Sequence, residues 1–208
     1  MTVVSPTKIV CVGRNYAAHA RELGNEVPAV PMLFLKPPSA LIGPGEAIVL
    51  PPESDQVEYE AEIGVVIGER IRRAGPEEAE RAIRGFTCVN DVTARDLQRR
   101  DGQWGRAKGF DTFCPVGPVV AEGLRWQDLE VVGRVNGDLR QRGRADEMHF
   151  AIPELVAFIS AAMTLEPGDL VLTGTPAGVG PLAPGDTVEV EIPGVGVLRN
   201  LVRGEGAR

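Results

Sequence analysis

Three glutamates alternate along one apolar stretch of the sequence. The stretch from Val57 to Gly68 reads Val-Glu-Tyr-Glu-Ala-Glu-Ile-Gly-Val-Val-Ile-Gly, and its β-branched residues predict a strand. Side chains alternate between the two faces of a strand, so Glu58, Glu60 and Glu62 would share one face at spacings of about 6–7 Å. Carboxylates that close repel one another unless water or a cation lies between them. The row therefore either faces solvent or holds a metal ion.

Four more residues could supply the rest of a catalytic site. Asp91 follows a predicted strand over residues 86–89 and is a candidate third carboxylate at a sheet edge. His19 and Glu22 lie three residues apart on a short predicted helix, so Glu22 could orient and charge the imidazole. For an isolated pair of this kind, a surface contact is the commoner outcome. Lys108 is a single cation among apolar and turn residues, the setting of an active-site lysine that opposes an anionic substrate.

Other polar segments give weaker signals. Residues 173–180 read Thr-Gly-Thr-Pro-Ala-Gly-Val-Gly and lack the Gly-Lys-Ser/Thr ending of a phosphate-binding loop. Their backbone amides and the Thr175 hydroxyl could instead hold a small carboxylate. Arg99 and Arg100 belong to a charged stretch that we expect to be solvated. His149 has no acid patterned beside it, which favours a structural or surface role.

The elements that must position these residues are mostly short strands. Runs of apolar and β-branched residues between glycine and proline turns predict strands over residues 8–12, 32–36, 47–50, 57–68, 86–89, 118–121, 129–135, 139–141, 170–172, 186–192 and 197–202. Helices are predicted over residues 17–23, 76–83 and 153–165. We expect Asn15 to be the N-cap of the first helix and Gly24 to end it. The sequence therefore predicts a mixed α/β, β-rich fold in a single domain, residues 1–208.

Composition bounds the class of protein. The 208 residues are 43% hydrophobic and 25% charged, as in a compact globular protein. The formal net charge of −7 repels phosphate polymers, so nucleic acid is not an expected partner. No apolar run approaches the length of a membrane span, and we expect a cytoplasmic protein. Its three cysteines are far apart and form no Cys-x-x-Cys, which favours buried thiols in a reducing compartment.

Several motifs occur between Val12 and Val202 in an order that indicates a family. They are Gly-Arg-Asn-Tyr-x-x-His-x-x-Glu from Gly13, Glu-x-Glu from Glu60, Asn-Asp-Val-Thr-Ala-Arg-Asp-x-Gln from Asn90, Ala-Lys-Gly-Phe-Asp from Ala107, Pro-Gly-Asp from Pro167, and Thr-Gly-Thr-Pro-x-Gly-x-Gly from Thr173. Each motif is weak alone, but together in this order they are specific. The chain resembles the fumarylacetoacetate hydrolase family, and within it the compact branch of acylpyruvate hydrolases, oxaloacetate decarboxylases and hydroxymuconate-type isomerases.

The resemblance implies a β-roll with short peripheral helices, a homodimer, and a divalent metal ion held by Glu60, Glu62 and Asp91. Glu58 falls outside the matched pair of glutamates, so the strand periodicity alone includes one residue too many. A set of anionic oxygen ligands suits Mg²⁺, with Mn²⁺ next, and argues against zinc or copper.

The resemblance also implies a reaction on a 2-oxo acid that chelates the ion. His19 with Glu22 would activate a water molecule, and an acylpyruvate would be cleaved into pyruvate and a carboxylic acid. Lys108 would place a second positive charge near the developing enolate. The substrate carboxylate would be oriented by three further residues, which are Arg95, Gln98 and Thr175.

Other activities fit the same residues. Decarboxylation of oxaloacetate needs the metal but no attacking water, and isomerisation of a hydroxymuconate-type dienoate such as 2-hydroxyhepta-2,4-diene-1,7-dioate needs only proton transfer. A non-catalytic binding protein of the same fold would be expected to lack a metal ligand or the lysine, and this chain keeps both.

Overall fold

The computed structural model describes residues 4–206, which form fifteen strands and five α-helices. The strands are β1 Ile9–Gly13, β2 Met32–Lys36, β3 Leu41–Ile42, β4 Ile48–Leu50, β5 Val57–Tyr59, β6 Ala61–Ile67, β7 Ile83–Asn90, β8 Thr93–Ala94, β9 Cys114–Ala121, β10 Glu130–Val135, β11 Asp138–Arg144, β12 Leu170–Leu172, β13 Gly180–Pro181, β14 Thr187–Ile192 and β15 Gly196–Gly204. The helices are α1 Ala17–Glu22, α2 Pro76–Arg81, α3 Arg95–Asp101, α4 Gly105–Gly109 and α5 Ile152–Ala162. Single 3-10 turns cover Pro38–Ala40, Trp126–Asp128 and Ala145–Glu147.

A seven-stranded sheet forms the centre of the fold and carries β6 in its middle. Its strand order is β2-β1-β12-β6-β7-β9-β3, and β6 is antiparallel to both of its neighbours. All seven residues of β6 are buried, as expected for a strand that is covered on both faces. A five-stranded sheet (β11-β10-β14-β15-β4) and a three-stranded sheet (β13-β5-β8) complete the strands. The predicted mixed, strand-rich α/β fold is confirmed.

The two larger sheets pack against each other around the main apolar core. Ile63 and Val65 of β6 share a buried cluster with Val131 of β10 and Val190 of β14. Removing such side chains from water contributes about 25 cal/mol per Å² of apolar surface, which is the main driving force for this packing. Because side chains alternate along β6, Glu62 points away from this core.

The acidic segment is two strands rather than the single strand that its periodicity predicts. β5 ends at Tyr59 and β6 begins at Ala61, so the chain leaves one ladder and enters another at Glu60. β5 pairs with β8 and β13 in the small sheet, whereas β6 pairs with β7 and β12 in the large one. The prediction of one continuous strand from Val57 to Gly68 is therefore wrong, because periodicity does not reveal a change of pairing partner.

Helix α1 has a different beginning from the predicted one. Its N-cap is Tyr16, and no side chain caps the helix. The buried Asn15 side chain instead donates to the carbonyl oxygen of Thr173 at 2.8 Å and accepts from the N–H of Phe150 at 2.8 Å. Asn15 thus fastens the segment before α1 to two distant loops, and the N-cap prediction is wrong because these long-range partners compete for the amide.

Asp169 in the Pro-Gly-Asp motif ties the start of the described chain to the turn before β12. Its Oδ1 accepts from the backbone N–H and hydroxyl of Thr7 at 2.9 and 2.7 Å, and its Oδ2 accepts from the N–H of Glu166 at 2.8 Å and from the Lys8 ammonium group. Burial opposes ionisation of this carboxyl, but the hydrogen bonds from Lys8, Glu166 and Thr7 outweigh it and lower its pKa. The motif therefore supports the fold at a distance from the acidic strand.

Three smaller features bear on the sequence predictions. The hairpin between β10 and β11 turns at Asn136 and Gly137, with φ of +54° and +84°, as the Asn-Gly dipeptide predicts. The three cysteines, Cys11, Cys88 and Cys114, are buried and unpaired. Among the helices within residues 4–206, none has the length and apolar character needed to cross a membrane.

Candidate metal centre and catalytic cavity

One cavity gathers almost all of the residues that the sequence singles out. It has a volume of about 260 Å³. Its lining includes every metal-ligand, catalytic and substrate-binding candidate except Glu22, namely His19, Glu60, Glu62, Asp91, Arg95, Gln98, Lys108 and Thr175. Part of the apolar wall comes from Phe34 and Trp104, whose rings meet edge to face with centroids 5.2 Å apart.

Glu60, Glu62 and Asp91 form a compact acidic cluster in this cavity. One carboxylate oxygen of each residue lies within 4.8 Å of the other two. The pairing of β6 with β7 brings them together, and the N–H of Asp91 donates to the carbonyl oxygen of Glu60 at 2.8 Å. The three side chains are buried, with exposures of 5%, 1% and 1%. The solvent-facing alternative for these carboxylates is therefore excluded.

Glu60 is compensated by two cations. Its Oε1 accepts from Nη2 of Arg95 at 2.6 Å, and its Oε2 accepts from Nζ of Lys108 at 2.7 Å. Burial opposes ionisation of Glu60, but the positive charges of Lys108 and Arg95 outweigh it and hold the pKa of Glu60 below its usual range. Glu60 is therefore ionised at neutral pH.

The negative charge of Glu62 is much less compensated by nearby cations than that of Glu60. It accepts one hydrogen bond, from the backbone N–H of Gly174 at 2.8 Å. Burial raises the pKa of Glu62 well above its usual value, and the negative charges of Asp91 and Glu60 raise it further. A cation between these carboxylates would relieve the repulsion.

Lys36 is a member of the site that the sequence did not identify. Lys36 is the last residue of β2 and is buried, and its Nζ lies 2.5 Å from Oδ1 of Asp91. Lys108, on α4, binds the other oxygen of the same carboxylate, with Nζ 2.7 Å from Oδ2. The one available signal was the position of Lys36 as the only charged residue of an apolar run between prolines.

The donor set fits a hard divalent cation. The buried charged side chains in and around the acidic cluster are four carboxylates and three cations, which are Glu58, Glu60, Glu62, Asp91, Lys36, Arg95 and Lys108. Three positive and four negative charges leave a net charge of −1 when all are ionised. Because the candidate ligand atoms are all carboxylate oxygens, the cluster suits a cation that prefers oxygen over nitrogen or sulfur.

His19 and Glu22 are paired, as the helical spacing predicts. Nδ1 of His19 lies 3.1 Å from Oε2 of Glu22, and Oε1 of Glu22 accepts from the backbone N–H of Gly178 at 2.9 Å. His19 is buried and lines the cavity, whereas Glu22 is one-third exposed and lies behind it. The carboxylate thus fixes the orientation of the imidazole, and Nε2 is the ring nitrogen left for a reacting group.

Arg95 binds protein carboxylates as well as lining the cavity. Its Nε donates to Glu58 at 2.7 Å and its Nη1 donates to Gln98 at 2.6 Å, in addition to the bond to Glu60. Glu58 therefore lies outside the three-carboxylate cluster, as the resemblance implied, and is held by the guanidinium group. Three of the five N–H groups of Arg95 are committed to these partners.

The Thr175 hydroxyl is held between two elements. It donates to the carbonyl oxygen of Ala61 at 2.9 Å and accepts from Nε2 of Gln141 at 2.7 Å. Gln141, on β11, also accepts from the N–H of Ala61 at 2.9 Å through its Oε1. This buried glutamine joins the five-stranded sheet to the start of β6, and no local sequence pattern indicates this role.

Comparison with known proteins identifies relatives along almost the whole chain. Residues 8–203 match the family described as fumarylacetoacetate (FAA) hydrolase C-terminal. The oxaloacetate tautomerase YisK of Bacillus subtilis is 43% identical over 214 residues, which cover 96% of this chain and 71% of that protein.

Two solved structures superpose closely on the fold. The structure described as 5-carboxymethyl-2-hydroxymuconate delta-isomerase from Mycobacterium smegmatis is 48% identical, with a TM-score of 0.92 over 98% of this chain and 81% of the other. Fumarylpyruvate hydrolase from Pseudomonas aeruginosa, solved with Mn²⁺ and pyruvate, is 34% identical, with a TM-score of 0.91 over 97% of this chain and 91% of the other.

Proposed function

The chain belongs to the fumarylacetoacetate hydrolase family, and from that premise we propose that it is a divalent-cation-dependent enzyme that hydrolyses a C–C bond in acylpyruvates. The relatives compared above are named as enzymes, namely a tautomerase, an isomerase and a hydrolase. The observation that carries the proposal is the common cavity of the acidic cluster, Lys108 and the His19 ring, since acyl hydrolysis needs charge stabilisation and a base together.

In this proposal Glu60, Glu62 and Asp91 hold the cation. Mg²⁺ is the expected ion because carboxylate oxygens are its usual protein ligands, and Mn²⁺ is the alternative. A divalent cation bound there would take up part of the negative charge that develops on the 2-oxo oxygen of the substrate. Lys36 and Lys108 keep the two oxygens of Asp91 in fixed positions.

His19 acts as the general base in the proposed hydrolysis. Its Nε2 removes a proton from water, and the water oxygen bonds to the distal carbonyl carbon of the acylpyruvate. The bond between that carbon and the neighbouring CH₂ then breaks, and its electron pair remains on the pyruvate fragment. Returning the proton to that fragment gives pyruvate and a free carboxylic acid. Glu22 stabilises the imidazolium that forms in the first step.

Polar groups on the wall of the same cavity would orient the substrate. The Lys108 ammonium group places a positive charge beside the reacting end, and the two uncommitted N–H groups of Arg95 and the amide of Gln98 can donate to the substrate carboxylate. Thr175 lines the same wall and holds its loop in place through the hydrogen bond to Ala61. The apolar rings of Phe34 and Trp104 limit the water that reaches this end.

Tautomerisation of oxaloacetate is the second candidate function. It is favoured by the 43% identity to YisK, and it needs a proton carrier but no attacking water. The same His19 nitrogen can move a proton between carbon 3 and solvent. Decarboxylation of oxaloacetate and isomerisation of a hydroxymuconate-type dienoate would use the same binding groups.

A substrate panel tests the proposal and separates the candidates. Acetylpyruvate, fumarylpyruvate, oxaloacetate and 2-hydroxyhepta-2,4-diene-1,7-dioate are incubated with the protein in Mg²⁺ and in chelator. We expect metal-dependent release of pyruvate from an acylpyruvate, and a fall in its kcat of at least about 100-fold in His19→Asn. Rapid loss of the enol absorbance of oxaloacetate without acylpyruvate cleavage would favour the tautomerase instead. No turnover of any of the four in either condition would contradict both.

A further inference from the structure

The glutamate that orients His19 is held by a glycine, and that glycine is held by a buried tyrosine. The backbone N–H of Gly178 donates to Oε1 of Glu22 at 2.9 Å, while Oε2 of Glu22 lies 3.1 Å from Nδ1 of His19. The carbonyl oxygen of Gly178 accepts from the hydroxyl of Tyr59 at 2.9 Å. Three successive hydrogen bonds therefore lead from Tyr59 to the imidazole that lines the cavity.

Glu22 depends on this support because its side chain is one-third exposed to solvent. A glutamate that is fixed in one conformation loses rotamer freedom that it would keep in water. The hydrogen bonds with Gly178 and His19 offset that loss. If Gly178 were less firmly held, the carboxylate could turn towards solvent, and the imidazole would lose the acceptor that selects the tautomer with a proton on Nδ1.

Two glycines of the loop permit the contact with Tyr59. Gly178 has φ of +104°, and an added Cβ would collide with the carbonyl oxygen of Arg140 on β11, so only glycine fits there. At Gly180 an added Cβ would lie 3.1 Å from the Tyr59 hydroxyl oxygen, where it would crowd the ring. The last two glycines of the Thr-Gly-Thr-Pro-x-Gly-x-Gly motif therefore bring this loop against both β11 and Tyr59.

Other residues hold the earlier part of the same loop. Nε2 of Gln141 donates to the carbonyl oxygen of Pro176 at 2.7 Å, two residues before Gly178. The contact of the loop with Glu62 is made before this anchor, through the backbone N–H at position 174. Loss of the Tyr59 hydroxyl should therefore disturb Gly178 and leave Glu62 in place.

We propose that Tyr59 is a positioning residue for the general base, and that it acts through Gly178 and Glu22 on the tautomer of His19. This inference rests on the proposed function, because it takes the imidazole to be the group that accepts a proton from water. The Tyr59 side chain is buried and lies outside the lining of the cavity, so any effect of its hydroxyl on turnover must pass through other groups.

The first experiment removes the hydroxyl and keeps the ring. In Tyr59→Phe the backbone pairing of residue 59 with Gly180 remains. We expect kcat for acylpyruvate hydrolysis to fall about three- to tenfold, the effect of one lost hydrogen bond, with KM within about twofold of the parent. The rise in melting temperature with Mg²⁺ should be unchanged, because Glu62 is held by a different part of the loop.

Tyr16→Phe is the matched control. The Tyr16 hydroxyl is also buried, just before α1, but it has no hydrogen-bond partner in the described part of the chain. Its removal should leave kcat at the parent value. Melting temperatures without Mg²⁺ check that both variants are folded.

A double-mutant cycle tests whether Tyr59 acts through Glu22. Glu22→Gln already removes the carboxylate that selects the tautomer of His19. Adding Tyr59→Phe to Glu22→Gln should therefore lower kcat by less than about twofold, since residues that act through one another are not additive.

Nitrogen NMR reads the tautomer directly and needs no turnover. The chain contains two histidines, so labelling with ¹⁵N-histidine gives the signals of two imidazoles, and His149→Gln assigns them. In alkaline buffer, in which a free imidazole is neutral, the parent should show a protonated Nδ1 and an unprotonated Nε2 at His19. In Tyr59→Phe the two His19 signals should move towards each other as the tautomers mix, whereas Tyr16→Phe should match the parent.

The outcomes separate this inference from the proposed function. Parent-like kcat or parent-like His19 signals in Tyr59→Phe, an equal loss in Tyr16→Phe, or additive losses with Glu22→Gln would each overturn the inference and leave the proposed function standing. If the parent cleaves no acylpyruvate, the proposed function fails, while the imidazole signals still decide whether Tyr59 sets the tautomer. A lower kcat with mixed tautomers in Tyr59→Phe, and neither change in Tyr16→Phe, supports the inference.

Discussion

Nζ of Lys36 lies 2.5 Å from Oδ1 of Asp91, and both side chains are 1% exposed or less. The same ammonium group donates to the carbonyl oxygen of Val92 at 3.0 Å. Isolated charges are costly in a protein interior, so each member of the pair depends on the other. The carboxylate of Asp91 is thus oriented by the protein before any cation binds, which is the arrangement expected of a preorganised ligand.

Replacing Lys36 by methionine should destabilise the metal-free protein. The substitution leaves Asp91 with one cation instead of two, and breaking a buried ion pair costs about 3–5 kcal/mol. Because the remaining cluster is more negative, Mg²⁺ should recover part of this loss. Urea unfolding with and without Mg²⁺ measures both quantities. Lys8→Met removes a partly exposed lysine from Asp169 and serves as the control. Its loss should be smaller and unaffected by Mg²⁺, and a similar Mg²⁺ response in both variants would count against the assignment.

Replacing Glu62 by glutamine should remove the stabilisation that Mg²⁺ gives. A ligand at 100 times its dissociation constant stabilises the folded state by about 2.7 kcal/mol, which corresponds to about 5–10 °C in melting temperature for a chain of this size. The metal-free variant should be at least as stable as the parent, because the substitution removes a buried carboxylate whose raised pKa reflects burial and repulsion by Asp91 and Glu60.

Glu58→Gln is the matched control for this measurement. Glu58 binds Arg95 and Gln56 and is outside the acidic cluster. Even if Glu58→Gln changes the melting temperature of the metal-free protein, Mg²⁺ should raise the melting temperature of the variant by as much as that of the parent. If Mg²⁺ still raised the melting temperature of Glu62→Gln by the full amount, Glu62 would not be a metal ligand.

Replacing Glu22 by glutamine should lower turnover without affecting metal binding. Glutamine can still accept from Gly178, but its NH₂ group would face Nδ1 of His19 and favour the tautomer that carries its proton on Nε2. That tautomer cannot accept a proton from water, so kcat should fall about 100-fold while KM changes little. Steady-state kinetics and the Mg²⁺-dependent melting shift measure the two effects. A change in KM alone would indicate that Glu22 shapes the cavity rather than the base.

Asp169→Asn should reduce stability in a manner that depends on pH. The pKa of Asp169 is lowered in the folded protein, so its ionisation contributes stability above the unfolded pKa, near 3.8, and the contribution is lost as pH falls through the lower folded value. We expect the variant to lose about 1–3 kcal/mol at pH 7, and the difference from the parent to shrink below pH 4. Guanidinium unfolding at pH 7 and pH 3 tests this, and an equal deficit at both would refute the electrostatic origin.

The acidic cluster could be predicted from the sequence because its signal is local. Two-residue spacing puts Glu60 and Glu62 on one side of the chain even though the ladder changes at Glu60, and the helical spacing of His19 and Glu22 is equally local. The strand-rich fold followed from short runs between glycine and proline. Helices α3 and α4 were missed because they are short and charged, with no apolar period to reveal them.

Contacts between distant segments could not be predicted. Lys36 and Asp91 are 55 residues apart, and Gln141 is 80 residues from Ala61, so no spacing rule relates them. A lysine at the end of an apolar strand has the same local pattern whether it faces solvent or a buried carboxylate. The N-cap prediction for Asn15 was wrong for a related reason, because a rule based on residues at helix ends does not take account of its long-range hydrogen bonds to two loops.

The junction at Glu60 also limits how such a chain can vary between lineages. Gaining or losing one residue there would turn every following side chain of β6 to the opposite face and exchange Glu62 with its apolar neighbours. β6 cannot change its register to compensate, because it is hydrogen-bonded to β12 along one edge and to β7 along the other. Length variation is far better tolerated at the exposed turn of Asn136 and Gly137. We expect gaps in alignments of relatives to collect at that turn and to be absent between Tyr59 and Glu62.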